Sequence, residues 1–162
     1  MLLNLATVGG TFDLLHRGHK ELLRVAFLSA KRVIIGLSSD EFCSSRGKKP
    51  LWDYARREQA LRGYLENELH VTPERYSIVR LDEAFGPAAT LRELEGIVVS
   101  TETKAVAEEI NKVRSRMGLP PLKIIEVPLV LADDGLPISS TRIRAGIIDA
   151  EGKLVGRGLQ RA

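Results

Sequence analysis

Strand-like and helix-like segments alternate along this chain, and that alternation limits the folds open to it. Five short apolar stretches are typical of buried strands, at residues 2–8, 32–37, 77–81, 96–99 and 122–127. Apolar residues at helical spacing predict helices between them, over 18–30, from Asp53 to about Leu69, and over 106–117. Strands that alternate with helices predict right-handed crossovers and a parallel sheet. We therefore expect an α/β fold, a doubly wound sheet of about five parallel strands with helices on both faces.

The remaining segments receive weaker predictions. Residues 38–50 read as a polar loop, 87–94 as a short helix, and Ile143 with Ile147 indicates a last helix. The length of 162 residues, with 44% hydrophobic and 28% charged, predicts one domain over 1–162. Residues 153–162 form a tail that we expect to be less ordered.

Composition excludes several classes of protein. The single cysteine, Cys43, rules out a disulfide framework and fits a reducing compartment, so we expect a cytoplasmic protein with no membrane segment and no signal peptide. The net charge of +3 suits a small polyanionic ligand as well as it suits a solvated surface. Scattered basic residues and 5% aromatics argue against nucleic-acid binding.

Ligands of open α/β sheets bind outside the carboxyl ends of the strands, where the strand order reverses. Four segments that follow predicted strands are therefore candidates for ligand binding, at 9–19, 38–50, 100–104 and 137–144. These segments contain most of the residues in which we expect chemistry.

The first segment resembles a phosphate site. The pair Gly9-Gly10 permits close approach of a ligand to the backbone, and Thr11 adds a hydroxyl. His16 and His19 are three residues apart at a helix start, where free N–H groups attract phosphate. The same two histidines could instead cap the helix, or bind metal if further ligands lay nearby.

The other segments carry cations and hydroxyls. Arg46, Lys48 and Lys49 are either a solvated run or phosphate contacts at the edge of the sheet. The three hydroxyl residues 139–141 precede Arg142, and they can supply an N-cap, a cradle of phosphate donors, or both.

No covalent nucleophile is evident. Cys43 has no partner in the sequence that would activate it and is interpreted as an inert small residue, and Asp13 could bind Mg²⁺ or only shape a turn. A site of phosphate-holding groups acts by positioning and by stabilising charge, so the predicted chemistry is phosphoryl or nucleotidyl transfer.

Two motifs resemble the signatures of the nucleotidyltransferase superfamily: Gly10-Thr11-Phe12-Asp13 with His16-x-Gly18-His19, and Ile138-Ser139-Ser140-Thr141-x-x-Arg144. Two further stretches resemble the pantetheine-phosphate adenylyltransferases. The second of these stretches resembles the archaeal and eukaryotic branch of that family. They are Lys48-Lys49-Pro50-Leu51-Trp52 followed by Arg56-Arg57, and Val98-Val99-Ser100-x-Glu102-Thr103 followed by Ile110-Asn111-x-x-Arg114. The bacterial branch has an Arg-Gly-Leu-Arg segment after its fourth strand, which this chain lacks.

The resemblance implies a Rossmann-like fold and an enzyme that uses ATP and 4′-phosphopantetheine to make dephospho-CoA in coenzyme A synthesis. It implies catalytic roles for Thr11, Lys48 and His19, with Thr11 and Lys48 also binding the acceptor. The ATP contacts that it implies are Gly10, Thr11, Phe12, His16, His19, Ser139, Ser140, Thr141 and Arg142, with Arg144 nearby. Mg²⁺ would accompany ATP without a metal site made by the protein.

Two alternatives stay open. A cytidylyltransferase would use the same two signatures, although such proteins carry Arg-Thr-x-Gly where this chain has residues 132–137, Ala-Asp-Asp-Gly-Leu-Pro. A nucleotide-sensing module would keep the fold without the activity. The oligomeric state does not follow from the sequence, and a monomer is one option.

Overall fold

The computed structural model describes residues 2–156 and contains a five-stranded parallel sheet. The strand order is β3-β2-β1-β4-β5. The strands are β1 (Leu3–Gly10), β2 (Ala30–Ser38), β3 (Tyr76–Leu81), β4 (Gly96–Ser100) and β5 (Lys123–Val127). The predicted α/β class is confirmed, and each predicted strand is present with its bounds shifted by at most two residues.

Within residues 2–156, five α-helices connect or follow these strands: α1 (Arg17–Ser29), α2 (Asp40–Ser45), α3 (Tyr54–Gly63), α4 (Lys104–Arg116) and α5 (Ser140–Arg144). One π-helical turn, Tyr64–Glu68, extends α3. It places Tyr64 and Leu65 in the core beside Leu61, as the apolar stripe of the sequence predicts. Single 3-10 turns occupy Asp13–Leu15, Pro73–Arg75 and Gly86–Ala89.

Both faces of the sheet are covered, because neighbouring residues of each central strand point into different cores. Val98 of β4 packs with Leu23 of α1 and Leu61 of α3. Its neighbours Ile97 and Val99 pack instead with Ile110 of α4. The alternation of side chains along a strand thus builds two apolar layers from continuous apolar runs.

Three predictions about local structure were wrong. The polar loop predicted at 38–50 contains helix α2, since Ser39 Oγ accepts the N–H of Phe42 and caps its start. The helix predicted at 87–94 is only the 3-10 turn Gly86–Ala89. The last helix ends at Arg144 and does not reach Ile147.

A buried arginine holds the segment between residues 88 and 94 in place. The Arg114 guanidinium is fully buried and donates to the carbonyl oxygens of Ala88, Leu91 and Leu94, and Arg114 Nε donates to Pro120. A side chain from α4 therefore satisfies three backbone carbonyls of a segment that forms no continuous helix. Burial lowers the pKa of Arg114 from its ordinary value.

The strand order creates a crevice at the carboxyl ends of β1 and β4. From β1 the chain moves outward through β2 and β3 on one side, then returns to place β4 and β5 on the other. Such a reversal point leaves room for a ligand between the loops that follow the two strands. No helix among residues 2–156 is long and apolar enough to cross a membrane.

The beginning of the predicted tail belongs to the fold. Leu154 pairs with Ile148, and the N–H of Val155 donates to Ile147 O at 3.0 Å. Ile148 is buried with Ala132 and Ile138 in a small third cluster. Residues 157–162 of the predicted tail lie outside the described residues.

We predict that Arg114→Met destabilises the fold by about 3 kcal/mol or more, because several buried carbonyls lose their donor at once. Urea unfolding measures the change. Arg116→Met on the exposed side of α4 is the matched control and should change stability by less than about 0.5 kcal/mol. Equal effects of the two substitutions would contradict this role of Arg114.

Candidate active site

A cavity of about 710 Å³ opens at the carboxyl ends of the strands. Its lining includes most of the side chains that the sequence singled out: Thr11, His16, His19, Lys48, Lys49, Ser139, Ser140, Thr141 and Arg144. Gly10 and Phe12 line it as well. Residues of all four post-strand segments line this cavity, since the lining also includes Ser100, Glu102 and Thr103.

The loop between β1 and α1 adopts a strained backbone. Phe12, Leu14 and Leu15 have φ angles of 52°, 63° and 35°, in the left-handed region that residues with side chains seldom adopt. Each such residue costs about 1–3 kcal/mol, so tertiary contacts must hold the loop. The sequence carries no signal of this strain, because Phe and Leu have no preference for left-handed backbone.

Asp13 makes some of the tertiary contacts that hold the β1–α1 loop. Its buried carboxylate accepts the backbone N–H groups of Leu51 and Trp52 at 2.9 and 3.0 Å, and Arg144 Nη1 at 3.1 Å. Its carbonyl accepts Ser140 Oγ at 2.9 Å. Of the two roles considered for Asp13, the structure shows the structural one: it joins the β1–α1 loop to α5 and to the segment before α3.

Arg57 of α3 makes further contacts that hold the β1–α1 loop. Its guanidinium is fully buried, and Nη1 donates to the carbonyls of Thr11 and Ser38 at 3.0 and 2.8 Å. It also donates to Trp52 O and to the Asp40 carboxylate at 2.6 Å. Sequence reasoning missed this role, because a buried arginine next to Arg56 looks like one more surface charge.

His16 and His19 form a reciprocal cap at the start of α1. His16 Nδ1 accepts the N–H groups of Gly18 and His19, and His19 Nδ1 accepts the N–H of His16 at 3.1 Å. Gly18 makes room, since a Cβ there would lie 2.9 Å from His16 Cε1. The spacing His-x-Gly-His is therefore what this cap requires, and the capping interpretation holds together with the cavity location.

This cap decides which nitrogen of each ring faces a ligand. A nitrogen that accepts a backbone N–H carries no proton, so the neutral rings of His16 and His19 hold their proton on Nε2. The rings stack with centroids 3.6 Å apart. Burial lowers the pKa of His16 to about 4, and the nearby Asp13 carboxylate opposes this shift only in part. Burial also lowers the pKa of His19, and the proximity of His16 lowers it further. At neutral pH both side chains are uncharged Nε2–H donors.

Lys48 follows the turn, Arg46 and Gly47, that closes the C-terminus of α2. Gly47, with φ of 72°, reverses the chain while the N–H of Lys48 donates to Cys43 O and that of Gly47 to Ser44 O. This closing turn fixes the backbone, contrary to the prediction of a plain polar loop. The side chain is exposed, and no ion pair is formed by Lys48 or Lys49 with residues 2–156.

The hydroxyls before Arg142 already have partners within the protein. Ser139 Oγ caps α5 by accepting the N–H of Arg142 at 3.2 Å, and Ser140 Oγ donates to Asp13. Thr141 Oγ1 accepts Arg144 Nη2 at 3.4 Å. Both functions considered for these residues are thus compatible: they shape α5 and they line the cavity.

The two arginines of α5 point in different directions. Arg142 is absent from the described cavity lining, because its guanidinium pairs with Asp134 and donates to the carbonyls of Leu136 and Pro137. Arg144 lines the cavity and contacts Asp13. The geometry therefore favours Arg144 over the predicted Arg142 as the cation of this wall.

Within residues 2–156, no group of three or more His, Cys, Asp or Glu side chains could hold a metal ion. Cys43 is fully buried, with Sγ 3.9 Å from Thr11 Oγ1. The thiol therefore packs beneath Thr11.

A second cavity of about 160 Å³ adjoins the first. Its own walls are largely apolar, with Phe42, Leu81, Phe85, Val106 and Ile110 among them. The residues common to both cavities are Gly9, Gly10, Thr11, Lys48 and Thr103. A ligand at Thr11 and Lys48 can therefore extend into either space.

The fold and site define a protein of the nucleotidyltransferase class, with its phosphate-type donors at the reversal point of a parallel sheet. The profile of the Cytidylyltransferase-like family matches residues 7–146. The chain is 44% identical to a phosphopantetheine adenylyltransferase of Methanothermobacter thermautotrophicus over 154 residues, 95% of this chain and 91% of that protein. It is 43% identical to one of Pyrococcus abyssi over 93% of this chain and 94% of that protein. The chain belongs to the cytidylyltransferase-like family and, within it, to the phosphopantetheine adenylyltransferases.

Solved structures agree on the fold. A protein of unknown function from Archaeoglobus fulgidus superposes with a TM-score of 0.68 at 30% identity, over 76% of this chain and 88% of that chain. A tyrosyl-tRNA synthetase from the same organism reaches 0.66 at 13% identity, over 86% of this chain and 59% of that one, a likeness of fold alone.

The buried histidine cap predicts a loss of stability in acid. Because the folded pKa of His16 is about 4 and its ordinary value is 6.5, the unfolded chain takes up a proton in that range while the folded chain does not. The contribution of His16 to the free energy of unfolding is full above pH 6.5 and falls towards pH 4. At about 1.4 kcal/mol per pKa unit, the loss amounts to about 3 kcal/mol.

His16→Asn tests this linkage, since Asn can cap α1 but does not titrate. Urea unfolding at several pH values between 7 and 4 should show a weaker pH dependence for this variant than for the unmodified protein. His70→Asn is the control, because His70 is exposed and its φ of 57° suits Asn. Parallel pH profiles of the unmodified protein and His16→Asn would contradict the prediction.

Proposed function

We propose that this protein transfers the adenylyl group of ATP to 4′-phosphopantetheine, giving dephospho-CoA and pyrophosphate in coenzyme A synthesis. The relatives that match almost the whole chain carry the name of that activity. The observation on the structure that supports it best is the position of Thr11 and Lys48 at the junction of the two cavities.

That junction suits an acceptor with a phosphate at one end and a slender arm. The Lys48 amine and the Thr11 hydroxyl would bind the acceptor phosphate, and the narrow apolar cavity beyond them would take the pantetheine arm. The wide cavity would remain for ATP. An acceptor without a long arm, such as glycerol phosphate, would leave the second cavity unused.

The reaction needs no covalent intermediate on the protein. An oxygen of the acceptor phosphate attacks the α-phosphorus of ATP, a new P–O–P bridge forms, and the bond to the bridging oxygen of pyrophosphate breaks. The pair of electrons of that bond leaves with pyrophosphate. Since Cys43 is buried beneath Thr11, the cavity offers no thiol to the α-phosphorus.

His19 would stabilise the charge that develops at the α-phosphate. Its Nε2–H is fixed by the cap with His16, so little reorganisation is needed as charge accumulates in the transition state. Phe12 packs against the His19 ring with centroids 5.3 Å apart and restricts its motion. His16, stacked on His19, would present its own Nε2–H to the next phosphate.

The hydroxyls of α5 and Arg144 would bind the β- and γ-phosphates from the opposite wall. Mg²⁺ would arrive with ATP and neutralise phosphate charge. Phosphate oxygens and water would hold it, because the buried Asp13 carboxylate is engaged by three donors. We assign the reaction to the cytoplasm, since the lone cysteine Cys43 suits a reducing compartment.

Pyrophosphate release tests the proposal directly. The protein is incubated with ATP or CTP, each with 4′-phosphopantetheine, nicotinamide mononucleotide, FMN or glycerol phosphate. Pyrophosphate should appear with ATP and 4′-phosphopantetheine. Activity with CTP alone would support a cytidylyltransferase instead, and nucleotide binding with no turnover on any acceptor would support a sensing module.

Lys48→Ala should raise the KM for 4′-phosphopantetheine and lower kcat, because a charged contact to the attacking phosphate is lost. The contact is worth about 1.5–3 kcal/mol, or about 10–100-fold in kcat/KM. ATP affinity by calorimetry should change little, and Lys49→Ala should have the smaller effect on kinetics. A collapse of ATP affinity with an unchanged acceptor KM would mean that Lys48 binds the other substrate.

Arg144→Ala and Arg142→Ala should separate two roles on one short helix. Removal of Arg144 should weaken ATP binding by about 10–100-fold, since a charge-assisted contact is lost and the Asp13 carboxylate loses its cation. Removal of Arg142 should chiefly lower stability, by about 1 kcal/mol, because its partners are Asp134 and two carbonyls. Calorimetry and urea unfolding of both variants measure this, and the reverse pattern would favour the sequence prediction.

A further inference from the structure

The backbone N–H of Phe12 is a donor with no acceptor among residues 2–156. Phe12 has a left-handed backbone, with φ of 52° and ψ of 37°, and it lines the main cavity at the end of β1. Backbone donors in a folded protein are nearly always paired, with protein, water or ligand. A donor that the protein leaves unpaired beside a cavity is available to a ligand.

The fully buried guanidinium of Arg57 determines where this N–H points. Arg57 Nη1 donates to the carbonyl oxygen of Thr11 at 3.0 Å. That carbonyl and the Phe12 N–H belong to one planar trans peptide, in which the two groups point in opposite directions. Thr11 and Phe12 line the main cavity, whereas Arg57 lines neither cavity. The N–H is therefore directed away from Arg57 and towards the space of the ligand.

The other contacts of Arg57 keep the guanidinium in a single orientation. It also donates to the carbonyls of Ser38 and Trp52 and to the Asp40 carboxylate, at 2.8, 3.1 and 2.6 Å. A planar guanidinium with four partners cannot rotate without breaking several hydrogen bonds at once. The peptide after Thr11 is consequently held in one position before a ligand binds.

The charge of Arg57 strengthens the same donor. A hydrogen bond from a cation to a peptide carbonyl polarises the peptide, so its N–H donates more strongly. The His19 ring lies next to Phe12, with ring centroids 5.3 Å apart. The Phe12 N–H and the His19 Nε2–H are thus two neighbouring donors, each fixed by contacts that involve no ligand.

We propose that Arg57 is a positioning residue for nucleotidyl transfer: through the Thr11 carbonyl it holds the Phe12 N–H towards the transferred α-phosphate. The inference rests on the proposed function for the identity of that phosphate. Arg57 touches no substrate and acts only through the peptide. Because charge on the phosphate oxygens grows in the transition state, the effect falls chiefly on kcat.

An ester in place of the amide between Thr11 and Phe12 tests the N–H alone. Phenyllactic acid at position 12 keeps the side chain and the Thr11 carbonyl and replaces the N–H by oxygen. The kcat of pyrophosphate release should fall about 10–100-fold, as expected for a hydrogen bond to a charged group, while the KM for ATP changes by less than about threefold. Unchanged kcat would overturn the inference, even if no variant of Arg57 folded.

Arg57→Lys tests the link between the arginine and this N–H. Lysine keeps the charge but cannot hold the same set of oxygens, so kcat should again fall about 10–100-fold with little change in the KM for ATP. Arg57→Lys combined with the ester should be at most about threefold slower than the ester alone, since both changes disable one donor. Losses that multiply, or normal kcat in Arg57→Lys, would overturn the inference.

Arg75→Lys is the matched control. Arg75 also donates to three backbone carbonyls, those of Phe27, Ala30 and Lys31, but it does so at the amino end of β2 and lines neither cavity. Its substitution should lower the midpoint of urea unfolding and leave kcat within about twofold. Equal losses of kcat in Arg75→Lys and Arg57→Lys would mean that both arginines act through stability alone.

The substrates used in these assays separate this inference from the proposed function. Pyrophosphate release with CTP, or with an acceptor other than 4′-phosphopantetheine, would refute the proposed reaction. The same set of variants, measured with that substrate pair, would still decide the role of Arg57, because every nucleotidyl transfer passes through an α-phosphate. Normal kcat of Arg57→Lys with ATP and 4′-phosphopantetheine would overturn the inference while the activity stands.

Discussion

The buried guanidinium of Arg57 is the contact on which the geometry of the site depends. Its donors hold the carbonyl of Thr11 after β1, that of Ser38 after β2, and Trp52 together with the Asp40 carboxylate. The loops after β1 and β2, which carry Thr11 and Lys48, thus share one rigid planar anchor. A lysine could not replace it, because three rotatable donors on one nitrogen cannot span this set of oxygens.

This anchor offsets the strain of the β1–α1 loop. Three of the four residues from Phe12 to Leu15 have positive φ, and such a backbone persists only where surrounding contacts determine it. Arg57 holds the loop through its hydrogen bond to the Thr11 carbonyl. Asp13 connects the loop to the segment before α3 and to α5. The loop is consequently fixed before any ligand arrives, which is what charge stabilisation in a transition state requires.

The histidine pair shows how one set of residues serves structure and chemistry together. The Nδ1 atoms cap α1, and that use leaves the Nε2–H groups as the donors available to the cavity. Burial keeps both rings neutral at neutral pH. The cost is stability in acid, because the unfolded chain can protonate these rings and the folded chain resists it.

The sequence alone determined the parallel α/β class, the five strands and most of the cavity lining, because these depend on local periodicity and on the rule that ligands meet strand carboxyl ends. It also identified His16, His19, Thr11 and Lys48 through short motifs. Tertiary structure decided the remainder. Arg57 and Arg114 are buried through contacts with carbonyls distant in sequence, and nothing in their neighbours distinguishes them from surface arginines. The partners of the α5 arginines were likewise beyond the sequence, since Arg142 pairs with Asp134 and Arg144 with Asp13 only once the chain has folded.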